Sequence, residues 1–319
     1  MPFDLEIEEY EEHTVYKNGP KICLVTGGAG FIGTHIIKRL VADGHRVVSI
    51  DNYSTGLKSN EQYGCHYIDA DVQDIDFWGR RLEENDMIPD IVFHLAAYAR
   101  VEPSIKHPVH SHSMNVNTTV RLLDYCRKNE IERVILTSSS AVYGEAKIPT
   151  TEKHPTNPMS PYALNKLINE QYCKLYSDLY KLQTVCLRYS NAYGEGQPTE
   201  GAYCNVMGIF DQQKRSGQPL TIVGDGEQRR DFIHVDDIVD ANMEVGFTDE
   251  ISFLGEIFNI GYGKNYSVNQ IAEWIGGETI NIEPRVEPKE TLLDSSKMMS
   301  TFNWKPKVNL EELLEEQNE

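Results

Sequence analysis

Between Ile22 and Val41 the chain passes from a short apolar run, Ile22-Cys23-Leu24-Val25-Thr26, directly into Gly27-Gly28-Ala29-Gly30-Phe31-Ile32-Gly33 and then into Ile36, Ile37, Leu40 and Val41. Five residues apolar on both sides read as a buried parallel strand, and the apolar positions after the glycines fall at helical spacing. Strand, glycine turn and helix in this order leave backbone amides bare at the helix N-terminus, where a pyrophosphate can approach. This is the first half of a dinucleotide-binding unit. Its glycines can be read as Gly28-x-Gly30-x-x-Gly33 or as Gly27-x-x-Gly30-x-x-Gly33, and either register permits the approach.

The alternation continues. A second strand, Arg46 to Ile50, ends in Asp51, where a carboxylate can hold a ribose 2′-hydroxyl and repel a 2′-phosphate; that favours NAD over NADP. Cys65 to Ile68 forms a strand ending near Asp69, Asp71 and Val72, and an amphipathic stretch follows around Phe77 to Leu82. Ile91 to Leu95 is a strongly apolar strand running into Ala96-Ala97, small residues that suit the close approach of a flat cofactor ring. His94 at its end reads as a satisfied core group. Met114 to Lys128 reads as a helix, Val134 to Thr137 and Thr184 to Tyr189 as further strands, Asp231 to Val245 as a helix and Glu256 to Ile260 as a strand.

Two polar stretches interrupt this regularity. Ser138-Ser139-Ser140 follows the strand at Val134, at a carboxyl end where open parallel sheets place their ligands. Ser160-Pro161-Tyr162-Ala163-Leu164-Asn165-Lys166 opens a helix whose apolar positions continue through Leu167, Ile168, Tyr172, Leu175, Tyr176 and Leu179. Tyr162 and Lys166 are four apart, so phenol and ammonium project from one face, about one turn from each other. Such a pair can work as an acid and base.

The expected fold is α/β, a Rossmann-type doubly wound parallel sheet with a smaller C-terminal substrate-binding lobe. Residues 1–20 read as an acidic arm and 21–189 as the NAD-binding domain. Residues 190–319 read mainly as the substrate-binding lobe, with 231–261 returning to the sheet. The 319 residues carry a formal charge of −19, which opposes binding to nucleic acid or anionic lipid through bulk electrostatics. An anionic ligand must therefore be met locally, by a few arginines and helix N-termini. No run approaches the roughly 18 apolar residues of a membrane span, and the first twenty residues lack a signal peptide's apolar segment, so a cytoplasmic protein is expected. Six scattered cysteines lack the spacing of a disulfide framework or a zinc site, and no metal is expected.

Taken together, the glycine turn Thr26 to Gly33, Asp51-Asn52, His94-Leu95-Ala96-Ala97, Ser138-Ser139-Ser140, Tyr162-x-x-x-Lys166 and Arg230-Asp231-Phe232-Ile233-His234-Val235-Asp236-Asp237 resemble the extended short-chain dehydrogenase/reductases. Within them the chain is most similar to the nucleotide-sugar 4-epimerases of the UDP-glucose 4-epimerase type, from Lys21 to about Leu314. The resemblance implies that Tyr162 is the acid/base, that Lys166 binds the nicotinamide ribose and lowers the phenol's pKa, and that Ser139 holds the reacting hydroxyl. It places NAD against Gly27, Gly30, Phe31, Ile32 and Gly33, against Asp51, Asn52, Asp71 and Val72, and against Leu95, Ala96, Ala97, Asn115 and Tyr189. The sugar would meet Ser139, Ser140 and Tyr162, and the diphosphate Asn191, Arg230 and Arg285, although Pro284-Arg285-Val286-Glu287 stands one position out of register with the family's Arg-Pro-Gly-Glu. Moving a phenol from about 10 towards 7 takes roughly 4 kcal/mol, and an ammonium about 4 Å away supplies on the order of that at an effective dielectric near 20.

The implied reaction is transient oxidation at carbon 4 of a UDP-hexose, giving a 4-keto sugar that turns over in the pocket and is reduced on its other face. Dehydratases of this fold place an Asp-Glu pair just after the Ser or Thr, and the decarboxylases a Glu. This chain has Ser140 and Ala141 there, so elimination lacks its acid and base. A non-catalytic NAD-binding scaffold would show a lost Tyr or Lys, and both are present. Thr291 occupies the position where relatives restricted to the unacetylated hexose carry a bulky Tyr, so an N-acetyl group is expected to fit. A homodimer through the helices at Met114 to Lys128 and Tyr162 to Tyr180 is implied as well.

Overall fold

The computed structural model describes residues 19–99, 101–199, 204–284 and 287–316. All but the last two residues of the acidic arm, and Arg285, lie outside them. Seven strands form one parallel sheet: β1 (Ile22–Thr26), β2 (Arg46–Asp51), β3 (Cys65–Asp69), β4 (Ile91–His94), β5 (Arg133–Ser139), β6 (Gln183–Tyr189) and a later strand, Ile257–Ile260. Their spatial order is Ile257–Ile260, β6, β5, β4, β1, β2, β3, so the winding reverses between β1 and β4. A crevice opens at such a reversal, outside the carboxyl ends of the strands.

Helices cover both faces of this sheet, which is why its strands read as nearly continuous apolar runs. Side chains alternate along each strand, so Cys23 and Val25 of β1 enter one core while Leu24 enters the other. The first core packs against α1 (Phe31–Ala42), through Ile36, Ile37 and Leu40. The second packs against α2 (Ile75–Glu84) through Trp78 and Leu82. Two short helices, α3 (Val101–Lys106) and α4 (Pro108–His112), lead through one π-helical turn, Ser113–Asn117, into α5 (Thr118–Lys128), so the expected helix at Met114 starts earlier and is not uniformly α. The long α6 (Pro161–Tyr180) lies on the same face as α2 and α5 and contributes Cys173 and Tyr176.

After β6 the chain enters the second lobe through β7 (Asn191–Tyr193), α7 (Val206–Arg215), β8 (Leu220–Val223) and β9 (Arg229–His234). The helix expected from Asp231 instead begins at Val235, as α8 (Val235–Phe247), because Arg229–His234 is a strand. Its register is held by the buried Asp231, whose carboxylate accepts from the backbone of Tyr262 and Leu293 at 2.9 and 3.0 Å. The helix is capped by the ring of His234, accepting from the amide of Asp236 at 3.3 Å. α8 packs on α1, and the following strand, β10 (Ile257–Ile260), pairs with β6, whereas β9, where the return to the sheet was expected to begin at residue 231, pairs with β7 and β11 instead. β11 (Asn265–Ser267), β9 and β7 make a three-stranded sheet, β12 (Thr279–Ile282) pairs with β8, and Tyr193, Phe210, Phe232, Tyr266 and Leu310 fill a separate core. Among the described residues no helix is long and apolar enough to cross a membrane. All six cysteines are free.

Candidate active site

A cavity of about 970 Å³ lies at the carboxyl ends of the sheet strands, over the β1/β4 reversal. Gly27, Gly30 and Gly33 line it, whereas Gly28 packs inward against Ser49 and Ile37. Of the two registers open in the sequence, Gly27-x-x-Gly30-x-x-Gly33 therefore faces the cavity. Gly27 has φ +75°, and a Cβ there would stand 2.9 Å from the amide nitrogen of Ala96. A Cβ on Gly33 would collide with the Gly27 carbonyl oxygen. The turn exists only without side chains at these positions, and that brings the N-terminus of α1 into the cavity.

Asp51 closes this end. One carboxylate oxygen accepts from the amide of Ala29 at 2.9 Å and the other from the amide of Tyr53 at 2.8 Å, so the group is tied to the glycine turn it faces. Burial pushes its pKa up, against those two bonds. Asn52 donates to Asp71 at 3.1 Å, and both line the cavity together with Val72, Phe31 and Ile32. Leu95, Ala96 and Ala97 form the next part of the wall, and Tyr189 and Asn191 stand further along it. A cradle that a Cβ would fill, a helix N-terminus and a carboxylate at the second strand end fit a dinucleotide whose ribose carries a free 2′-hydroxyl.

The opposite end holds Ser139, Tyr162 and Lys166. Ser160 caps α6, its hydroxyl accepting from the amide of Ala163 at 3.1 Å, and Pro161 occupies the first turn, where no amide is needed. The Tyr162 amide donates to the Ser104 hydroxyl at 3.1 Å. This fixes the first turn, so Tyr162 and Lys166 point together into the cavity; the ammonium lies 5.9 Å from the ring centre. Lys166 is buried and donates to the Thr137 carbonyl at 2.6 Å. Burial lowers its pKa to about 8, and the nearby thiol of Cys186 and carboxylate of Glu170 oppose the shift. Ser139 caps the short turn after β5, its hydroxyl accepting from the amide of Ala141 at 3.2 Å.

Three expected residues stand apart from the lining. Ser140 begins the turn behind Ser139. Asn115 lies behind the wall, its amide side chain accepting from the Tyr98 amide at 2.7 Å and donating to the Tyr98 carbonyl at 3.2 Å. Arg230 donates to Glu287 at 2.5 Å. Arg285 lies outside the described residues. His94 is a core group as read from the sequence: its ring meets the hydroxyls of Thr26 and Thr119 at 2.7 and 3.0 Å, and burial lowers its pKa to about 3.

Several lining residues were not singled out from the sequence. Ser54 and Thr55 follow Asp51-Asn52, and the rule that ligands gather at strand ends would have found them. Gln197, Pro198 and Asn205 sit in the aperiodic stretch after β7, where only the folded chain brings them to the wall.

Comparisons with known proteins identify the family. The model of the NAD-dependent epimerase/dehydratase family matches residues 23–261. A putative UDP-glucose 4-epimerase of Methanocaldococcus jannaschii is 38% identical over 297 residues, covering 91% of this chain and 94% of the relative. The UDP-glucose 4-epimerase of Thermotoga maritima, solved with UDP-glucose, superposes with a TM-score of 0.86 at 34% identity, over 92% of this chain and 96% of that one. A UDP-N-acetylglucosamine 4-epimerase of Methanobrevibacter ruminantium, in complex with UDP-N-acetylmuramic acid, gives a TM-score of 0.85 at 35% identity, over 93% and 96%. On the family match and on these likenesses, the chain belongs to the NAD-dependent epimerase/dehydratase family.

Proposed function

We propose that this protein inverts carbon 4 of a UDP-hexose, with UDP-glucose and UDP-galactose as its substrates. The observation that carries this reading is the single cavity joining the glycine turn and Asp51 to Ser139, Tyr162 and Lys166, with Ser140 and Ala141, and no carboxylate, after Ser139. When bound, NAD would supply a reversible hydride acceptor for carbon 4, so that a 4-keto sugar could be reduced again on its other face. The chain's own groups manage the proton. Tyr162, as phenolate, takes the proton of the 4-hydroxyl and later returns it, while Ser139 orients that hydroxyl. At 5.9 Å from the ring centre, a charged Lys166 favours the phenolate by about 3 kcal/mol at an effective dielectric near 20, roughly two of the three pK units separating a phenol from neutrality. The remainder would fall to the positive charge of an oxidised nicotinamide, once bound.

Gly27, Gly30, Phe31, Ile32, Gly33, Asp51, Asn52, Asp71, Val72, Leu95, Ala96, Ala97 and Tyr189 would hold NAD, and Asn191 would reach towards the diphosphate. Arg230 and Arg285 remain proposed diphosphate ligands, the former on release from Glu287. Residues 21–189 with α8 and β10, 235–260, would act as the cofactor domain, and the rest of 190–319, β9 included, as the sugar lobe. The exposed apolar side chains of α6, Leu164, Leu175 and Leu179, and of Val101, Ile105 and Val109 beside it, support a homodimer. A cytoplasmic location is part of the same reading. Thr291 in place of a bulky Tyr supports acceptance of an N-acetyl group.

The test is incubation of the purified protein with UDP-glucose and no added cofactor, followed by chromatography of the nucleotide sugars. UDP-galactose should appear until equilibrium is reached. Solvent deuterium entering carbon 5 would point to a dehydratase instead, and failure to convert UDP-N-acetylglucosamine while UDP-glucose reacts would remove the N-acetyl extension.

A further inference from the structure

One turn beyond Lys166, the same face of α6 carries Glu170, which is buried. Its side chain is 1% exposed and that of Arg188, on β6, 3%. One carboxylate oxygen accepts from Arg188 Nε at 2.8 Å and from the Ser138 hydroxyl at 2.5 Å; the other accepts from Arg188 Nη2 at 2.6 Å. The Arg188 guanidinium lies 4.6 Å from the centre of the Tyr143 ring, whose hydroxyl donates to Asn259 at 2.7 Å. A buried ion pair is a weak source of net stability, because desolvation offsets most of the attraction. Packing alone does not call for one here.

Its position gives another reason. α6 is joined to the carboxyl end of β5 by bonds from two successive turns, Lys166 to the Thr137 carbonyl and the Ser138 hydroxyl to Glu170. The next residue of β5 is Ser139. Building on the function proposed above, we infer that Glu170 is a positioning residue of the acid/base centre. Held by Arg188, it fixes the strand end that presents Ser139 and balances the charge under which Tyr162 gives up its proton.

The groups facing Lys166 come from several elements: Glu170 and Cys173 on α6, Cys186 on β6 and His94 on β4. Glu170 is the one carboxylate among them. The His94 ring is neutral, and the Cys186 thiol is pushed well up by its bond with Cys173 and by burial. Arg188 sits behind Glu170 and stays charged whatever its partner does. Removing the carboxylate charge therefore leaves one uncompensated cation near the site.

Glu170→Gln keeps the shape and an acceptor for Ser138, so it isolates the charge. Eight residues separate Tyr162 from Glu170, about 12 Å of helix. A unit charge at that distance, at an effective dielectric near 20, shifts a titration by about one pH unit. The readout is phenolate absorbance of the NAD-bearing protein against pH, taken as the difference from the same chain with Tyr162→Phe. It needs no turnover, so it stands even if the sugar substrate is misassigned. The Tyr162 midpoint should fall by about one unit in Glu170→Gln, and both limbs of the turnover profile should move the same way. A folded, NAD-bearing Glu170→Gln protein with an unmoved midpoint overturns the inference. Should that variant not fold, Glu170→Gln with Arg188→Met, a neutral pair, decides. Its midpoint should match the parent's while kcat falls by about tenfold or more at unchanged KM, because Ser139 is no longer held; a parental kcat overturns it.

Discussion

The Lys166 ammonium stands 5.9 Å from the centre of the Tyr162 ring and is anchored at 2.6 Å to the carbonyl of Thr137, so the cation is fixed by the sheet and not by the group it serves. Replacing the phenol should leave that cation in place. Tyr162→Phe keeps the ring and removes only the proton carrier. UDP-glucose epimerisation should fall by about 10²- to 10⁴-fold, while NAD content and melting temperature stay at the parent's values. Retained activity would dismiss Tyr162 as the base.

Lys166 gives the reaction an alkaline limit. Its pKa in the folded chain is about 8, against an ordinary 10.5, and only the charged form favours the phenolate. Turnover should decline as pH rises through about 8. The effect on stability has the opposite sign. Between about 8 and 10.5 the unfolded chain binds this proton and the folded chain does not, so unfolding becomes costlier as pH rises through that window. Below 8 both states hold it and the burial penalty is constant. Chemical denaturation at pH 7.5 and 9.5, parent against Lys166→Met, checks this: the variant should lack that pH-dependent gain and should be inactive at both.

Gly33 tests the cofactor end. A Cβ there meets the Gly27 carbonyl oxygen and crowds Gly28 Cα at 2.8 Å, both backbone, so the turn must open to admit it. Gly33→Ala should lose copurified NAD and melt lower by an amount corresponding to about 1 to 3 kcal/mol, as overpacking does. Absorbance of the acid-released nucleotide measures the first effect and calorimetry the second. Full NAD occupancy in the variant would mean that the glycine turn does not seat the pyrophosphate.

Local rules reached as far as neighbours in sequence reach. Tyr162 and Lys166 were legible because four residues make one helical turn, and Asp51 because it ends the strand after a glycine turn. The partner of Glu170 was not: Arg188 lies on another element, and no short-range spacing links them. The helix expected at Asp231 failed for a related reason. Its polar residues look like a capped helix start, yet Asp231 is spent on amides of Tyr262 and Leu293, contacts that exist only once the second lobe has closed. Arg230 shows the same limit, since its Glu287 partner is set by folding.

The exposed face of α6 carries the remaining prediction. Leu164, Leu175 and Leu179 are 46%, 45% and 61% exposed, and Val101, Ile105 and Val109 add 51%, 57% and 84% close by. Removing one leucine side chain from water is worth about 1.5 to 3 kcal/mol, and a two-fold interface counts each residue twice. Burial of this face against its own copy would therefore make Leu175 a sensitive reporter. Leu175→Glu places a charge into an apolar contact on both sides and should raise the dimer dissociation constant by at least about 10²-fold. Sedimentation velocity across micromolar concentrations should show a dimer for the parent and a monomer for the variant, with NAD content unchanged because Leu175 lies far along α6 from Tyr162. A parent chain that sediments as a monomer would assign this apolar face to something other than a second copy.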